Sequence, residues 1–306
     1  MARILTRQAR QTLTGYLFLS PALLFYAVFL LIPVGMSVYI SFTNWNMLGP
    51  LGRARWVGLS NYLYLLTRDE MFAASLINTV IYALGTVFIG MALALGVALL
   101  INNVRGSAFW RFLIFAPVVT PAIAVGRIWG GIYHPSHGYL NQLLRMLGLP
   151  PQQWLSSAQL ALPSIMVTAV WASVGATVIV FIAGLRNIPV QYYEAARIDG
   201  ARGWHEFWHI TLPMLRPTVL FLSVTGLISA WQVFDLVYSM AIGGTESGTT
   251  PARAVMVVAL YLYMTAFRNL RAGRATAGAT ILFVIIFVIT LVLLRVLRRG
   301  GLEAYE

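Results

Sequence analysis

The chain contains no lysine and no cysteine, and its nine acidic residues face 21 basic ones, all of them arginine. Each shortage closes a class of function. Without lysine there is no P-loop, whose lysine must reach the nucleotide phosphates, so the chain is not its own P-loop ATPase. Without cysteine there is no disulfide, thiolate zinc site or iron–sulfur cluster, and redox chemistry says nothing of the compartment. The long apolar runs hold almost no carboxylates. An ion-coupled secondary transporter, one alternative class, needs intramembrane carboxylates or another ion site. Uptake that persists without an ATPase would be its mark.

What is present is apolar. Hydrophobic residues make up 59% of the 306, charged residues only 10%, and the mean hydropathy is +0.78. Uncharged runs of about 18 or more residues are candidate membrane spans, and several occur. The expected fold class is all-α, a polytopic bundle of six transmembrane helices in a lipid bilayer. The net charge of +12 would fit nucleic acid, but the arginines sit mainly between and beside apolar runs, where they orient a protein in a membrane. No nucleic-acid partner is expected.

The spans are predicted at about residues 14–37, 74–101, 111–133, 160–185, 213–237 and 275–294 of a single domain covering 1–306. No small-residue cleavage site follows the first run, which reads as a retained span. Pro21 and Pro33 are expected to bend or end it, and Pro117, Pro121 and Arg127 interrupt the third. The segment from Gly49 to Glu70 reads as a loop with a short helix. His134 to Ser157 and Gly243 to Thr250 read as loops. Ala254 to Phe267, only 14 residues, is too short to span and reads as re-entrant or interfacial. With the N-terminus inside, twelve arginines fall on inner segments and eight on outer ones, with Arg127 within a span. That bias places both termini in the cytoplasm.

The most patterned polar stretch lies between the fourth and fifth spans, at residues 186–212. Asn187 is a candidate N-cap and Pro189 suits a first turn. Val190 to Asp199 can form a short helix, ended by Gly200 in the left-handed conformation. Glu194 early and Arg197 late suit the helix dipole, and Ala195-Ala196 gives one surface little bulk. Trp204, Phe207 and Trp208, at i, i+3 and i+4, predict a second short helix with an aromatic face. Pro213 then starts helix five. The result is a helix–Gly–helix knob.

Glu194-Ala195-Ala196, Gly200, then Ile210, Leu212 and Pro213 resemble the EAA loop of binding-protein-dependent ABC importer permeases. Ser20-Pro21-Ala22-Leu23, Ser41-Phe42-Thr43-Asn44-Trp45 and Val57-Gly58-Leu59-Ser60-Asn61-Tyr62 are similar to the N-terminal part of carbohydrate-uptake permeases, more of the MalF/UgpA type than the MalG type. Leu262-Tyr263 to Phe267, Gly273 and Ala275 look like that subfamily's last loop. Ala241-Ile242-Gly243-Gly244-Thr245 departs from the Thr-x-Gly-Gly-Pro of many relatives.

The resemblance implies a permease in a bacterial or archaeal inner membrane, importing a sugar or related polyol by alternating access. It implies a MalG-like second permease, an ABC ATPase dimer that holds ATP and Mg, and an extracytoplasmic solute-binding protein. It gives Glu194, Ala195, Ala196, Asp199, Gly200, Ile210, Leu212 and Pro213 a coupling role against the ATPase, and it implies no catalytic residue or cofactor in this chain.

Sugars favour aromatic faces and hydrogen-bonding side chains in a mostly apolar cavity. Candidates are Trp171, Ser173 and Thr177 in the fourth span and Trp231 and Gln232 about 27 Å along the fifth. Trp231 reads equally as an interface anchor. Arg127 and Asp235 fall near the outer interface, as snorkelling or ion-paired groups or as an outer gate or anionic-solute contact. His205-Glu206-Phe207-Trp208-His209 has the His-Glu-x-x-His pattern of zinc metalloproteases, a second alternative. Its helix is short and no third ligand is evident, so no metal is expected there or at His134 and His137.

Overall fold

The structure, a computed structural model, describes residues 7–102, 104–242 and 251–299. Among these residues it is all-α, with a single isolated bridge between Thr43 and Trp56. Four helices are long and apolar enough to cross a membrane, or up to six if each of two bent pairs is one span. We label the helices α1 Gln11–Ser41, α2 Ser60–Thr67, α3 Glu70–Ile101, α4 Ser107–Val119, α5 Ala122–Ile132, α6 Tyr139–Met146 and α7 Ala161–Arg186. After these come α8 Val190–Ile198, α9 Trp204–Met214, α10 Arg216–Trp231, α11 Asp235–Ala241, α12 Ala252–Val255, α13 Val258–Tyr263 and α14 Ala272–Arg299. The described residues form two compact units. One holds residues up to Arg68 together with Leu262–Ile281, and the other holds Asp69–Tyr261 and residues from Leu282 on.

In the first unit, α1 runs through Pro21 and Pro33 without ending, where a bend or stop was expected. Its turn at Ala27–Leu31 widens to a π-helix just before Pro33. A proline ring clashes with the carbonyl four residues back, here Phe29, and the wide turn opens that point. Asn61 then ties the exit of α1 to α2, donating to the Ser41 and Thr43 carbonyls at 2.8 Å each. The Gly273 N–H at the start of α14 donates to the Trp45 carbonyl at 3.0 Å.

In the second unit, α3 begins at Glu70, four residues before its expected start at 74. Asp69 caps it, its Oδ1 accepting the Phe72 N–H at 2.9 Å. The second half of α3 packs along α7, and Ala94, Ala98, Val178, Phe181, Ile182 and Leu185 form a core closed by Ile188 and Leu215. This is the floor under the polar stretch that follows α7.

The predicted third span, 111–133, is not one helix. Thr120 and Pro121 are extended, and α4 meets α5 at 96°, because Pro117 and Pro121 both remove helix donors within one turn and a half. The backbone of α4 rides directly on α7, where a Cβ at Gly175 would sit 2.2 Å from the Ile114 carbonyl oxygen. The predicted fifth span, 213–237, is not one helix either. Pro213 lies inside α9, the chain bends by 61° at Leu215, and Pro217 opens α10. That helix stops at Trp231 and the chain restarts as α11.

Smaller corrections concern the loops. Residues 134–157 contain the helix α6. Asn187 caps the C-terminal end of α7, and Pro189 occupies the N-cap of α8. The fourth span, expected at 160–185, is Ala161–Arg186, and the last, expected at 275–294, starts at Ala272. The short apolar stretch at residues 254–261 packs against α3 through polar hooks. Asn78 Nδ2 donates to the Arg253 and Met256 carbonyls at 2.8 and 3.0 Å, and Thr79 Oγ1 accepts the Val258 N–H at 2.9 Å. The Gly243 to Thr250 loop and the Gly243-Gly244-Thr245 departure lie outside the described residues.

Candidate functional site

Two features of the second unit concentrate polar groups, the α8–α9 knob and a cavity among α3, α5, α7 and α10. A nine-residue helix is unstable alone, and α8 has no buried residue. Its C-terminus closes as a Schellman motif. The Gly200 N–H donates to the Arg197 carbonyl and the Ala201 N–H to the Ala196 carbonyl, at 3.1 and 2.9 Å. Gly200 adopts φ +85°, a conformation other residues reach only at a cost of about 1–2 kcal/mol. No atom lies within 4 Å of where its Cβ would be, so only the backbone demands glycine here.

Two side-chain contacts fasten α8 to α9. Arg197 Nε and Nη2 donate to Glu206 Oε1 and Oε2 at 2.8 and 3.3 Å. That hydrogen bond holds the Glu206 carboxyl below the usual glutamate range and raises Arg197. Tyr193 Oη lies 2.9 Å from Thr211 Oγ1, and Tyr193 and Ile210 pack onto the core that includes Ile188 and Leu215. The inner side of α8 is thereby held.

Its outer side is left open. Val190, Glu194 and Ile198 recur at i, i+4 and i+8, with Val190 66% and Ile198 87% exposed, and Ala195 lies beside them, also exposed. A carboxylate between two uncovered aliphatic side chains, next to a side chain of one methyl, makes a small open face. Asp199 is exposed at the C-cap, while Leu212 and Pro213 are half-buried in α9.

The cavity measures about 800 Å³. Ser173, Thr177, Gln232 and Asp235 line it, together with Thr120, Thr225, Ser229 and apolar residues of α3 and α10. Trp171, Trp231 and Arg127 do not. Trp231 is buried in packing, Trp171 stacks edge-on with Trp129 at 5.4 Å, and Arg127 is exposed on α5 with no carboxylate of the described residues, Asp235 included, within 4.0 Å. Thr120, Ser229 and Thr225 went unnoticed in the sequence. The Pro117/Pro121 break that turns Thr120 inward was the available signal.

The His-Glu-x-x-His residues are otherwise engaged. Glu206 is taken up by Arg197, and the His205 and His209 rings stack at 4.0 Å. Among the described residues no three His, Cys, Asp or Glu side chains gather as metal ligands. His134 and His137 likewise stack, at 3.4 Å. Gly203, at φ +44°, is a second hinge of the knob, and the pair of glycines three apart in the sequence marked it.

Apolar helices long enough to cross a membrane, a polar knob and a hydroxyl-lined cavity suit a membrane transport component. The chain belongs to the family of binding-protein-dependent transport system inner membrane components, whose model matches residues 86–300. It is 32% identical to the diacetylchitobiose uptake system permease NgcF of Streptomyces coelicolor, over 93% of this chain and 82% of that protein. It is 32% identical to the trehalose/maltose transport system permease MalF of Thermococcus litoralis, over 94% of each. Its fold is that of a chain of a bacterial alginate ABC transporter solved with its pentasaccharide-bound periplasmic protein. The TM-score there is 0.81 at 22% identity, covering 96% of this chain and 97% of that one. The chain is thus a transmembrane permease of a binding-protein-dependent importer, an inner-membrane component and not itself an enzyme.

Proposed function

We propose that this permease imports a sugar or related polyol, driven by ATP hydrolysed on a separate ABC ATPase dimer that docks on α8. The observation that carries the reading is the outer stripe Val190–Glu194–Ile198, uncovered in its own chain and held at a fixed angle by Gly200 and the Arg197–Glu206 contact. Glu194, Ala195, Ala196, Asp199 and Gly200 form the docking knob. Ile210, Leu212 and Pro213 transmit its movement through Leu215 to α10.

The chain acts as one transmembrane domain. Its six spans are α1, α3, the bent pair α4–α5, α7, α10 together with the end of α9 bent onto it, and α14; the upper count of six takes α9–α10 as one bent span. Both termini and residues 186–212 face the cytoplasm, which the arginine bias favours. A MalG-like permease pairs with it and an extracytoplasmic binding protein delivers the solute. ATP and magnesium belong to the ATPase.

The solute passes the 800 Å³ cavity, where Thr177, Ser229, Gln232 and Asp235 offer hydrogen bonds to hydroxyls among apolar walls. The sugar uptake named for two relatives of similar length supports this class. Purifying the assembled complex and identifying the ligand retained by its binding protein tests it. A mono- or oligosaccharide or a polyol is the expected ligand, and an amino acid, peptide or metal ion would overturn it.

A further inference from the structure

A second cavity, of about 700 Å³, opens in the first unit, where α1 exits, α2 crosses and α14 begins. Three arginines line it, Arg68, Arg271 and Arg274, and among the described residues no carboxylate does. Among the described residues, none of the three has a carboxylate within 4.0 Å. Arg274 lies 3.8 Å over the Tyr64 ring, half-buried. Like charges collected around an open space repel one another, and an anion in that space removes the repulsion.

The cavity is built rather than incidental. The Trp45 carbonyl is held by the Gly273 N–H, and a Cβ at Gly273 would lie 2.0 Å from the Thr43 carbonyl oxygen. That close approach fixes the start of α14, with Arg271 and Arg274, against the end of α1. The depth decides the anion. The walls lie at the ends of α1 and α14, both long and apolar enough to span, and the apolar window of α1 has no buried residue. Acyl chains along α1 therefore end beside a basic, aromatic-edged cavity, the position at which basic residues meet headgroups.

We propose that this cavity binds the phosphodiester of an anionic phospholipid headgroup. The inference rests on α1 and α14 crossing a membrane and is independent of which solute is imported or how ATP is coupled. The test uses the assembled importer in nanodiscs of phosphatidylcholine doped with phosphatidylglycerol, with lipid retention read by native mass spectrometry. Each single Arg→Gln change at 68, 271 or 274 is expected to lower phosphatidylglycerol retention about fivefold, and the triple change about a hundredfold.

The Arg→Lys triple variant keeps the charge and is expected to retain the lipid, and millimolar inorganic phosphate should not displace it. Unchanged retention in the Gln triple variant overturns the proposal. So does loss in the Lys triple variant as well, which would make cavity shape rather than charge the cause. Displacement by free phosphate would make it a soluble-anion site. Normal lipid retention with weakened capture of the binding protein would make it a protein contact.

Discussion

Helices α1 and α8 both leave most of their side chains uncovered. The apolar window of α1 has no buried residue, and neither has any turn of α8. They differ in what they expose. α1 shows Phe18, Leu19, Leu23 and Leu24 around its circumference, while α8 sets Glu194 and Ala195 between Val190 and Ile198. A helix apolar all round needs lipid or another apolar helix. A short helix with a carboxylate among aliphatics can stand in water, and it offers the face that the proposed ATPase would cover. Equal exposure thus has two meanings, and chemistry rather than burial separates them.

The sharpest way to break the comparison is to move a charge. Phe25→Arg places a guanidinium near the middle of α1, where insertion costs about 2.5–3.5 kcal/mol. Membrane-inserted protein, measured by quantitative blotting of carbonate-washed membranes, should fall about a hundredfold. Ile198→Arg on α8 should leave that yield within about twofold, as surface changes cost roughly 0.5 kcal/mol or less, while reducing ATPase capture in a pull-down. Equal losses of yield for both would erase the distinction.

Next comes the cavity. Gln232→Ala removes one hydrogen-bonding group from its wall, and a lost solute hydrogen bond of about 1 kcal/mol raises the apparent KM of uptake about fivefold at unchanged ATPase coupling. Trp231→Phe, in the buried packing beside it, should leave that KM within twofold. The comparison between these neighbours checks which face of α10 the solute meets.

The smallest effect concerns the brace. Arg197→Gln should lower ATPase-coupled uptake about two- to fivefold, because an exposed ion pair contributes little. The exchange of Arg197→Glu with Glu206→Arg should recover most of it. Since Glu206 is held below the ordinary carboxylate range, the contact is complete above that range. It is lost as pH falls through the lowered value, so coupling should be flat from about pH 6 to 8. A steep drop within that interval would point to another group.

Sequence made some of this legible. Gly200 could be placed in the left-handed region because the helix-compatible run from Val190 to Asp199 stops there, and the structure has it at φ +85°. The long apolar runs gave α1, α3, α7 and α14 within a few residues, since hydropathy alone decides them. Bends were harder. Pro117 and Pro121 announced an interruption, but whether two prolines tilt a helix or turn it by 96° depends on what packs there, here α7 at Gly175. Pro213 and Pro217 compete to start one helix, and only Leu215, fully buried in the core, chooses between them. Trp171 and Trp231 invited a sugar-binding role because aromatic identity is visible in a sequence and the face it points from is not. α6 was hidden because Pro135, Gly138, Pro150 and Pro151 flank it too closely.

The central claim is that α8 couples a partner ATPase to transport. The direct measurement compares solute uptake and ATP hydrolysis in proteoliposomes of the assembled complex carrying Glu194→Arg with Gly200→Leu. The account predicts uptake at background, ATP hydrolysis that no longer responds to solute-loaded binding protein, and normal amounts of the permease in the membrane. Wild-type uptake in that double variant would contradict it.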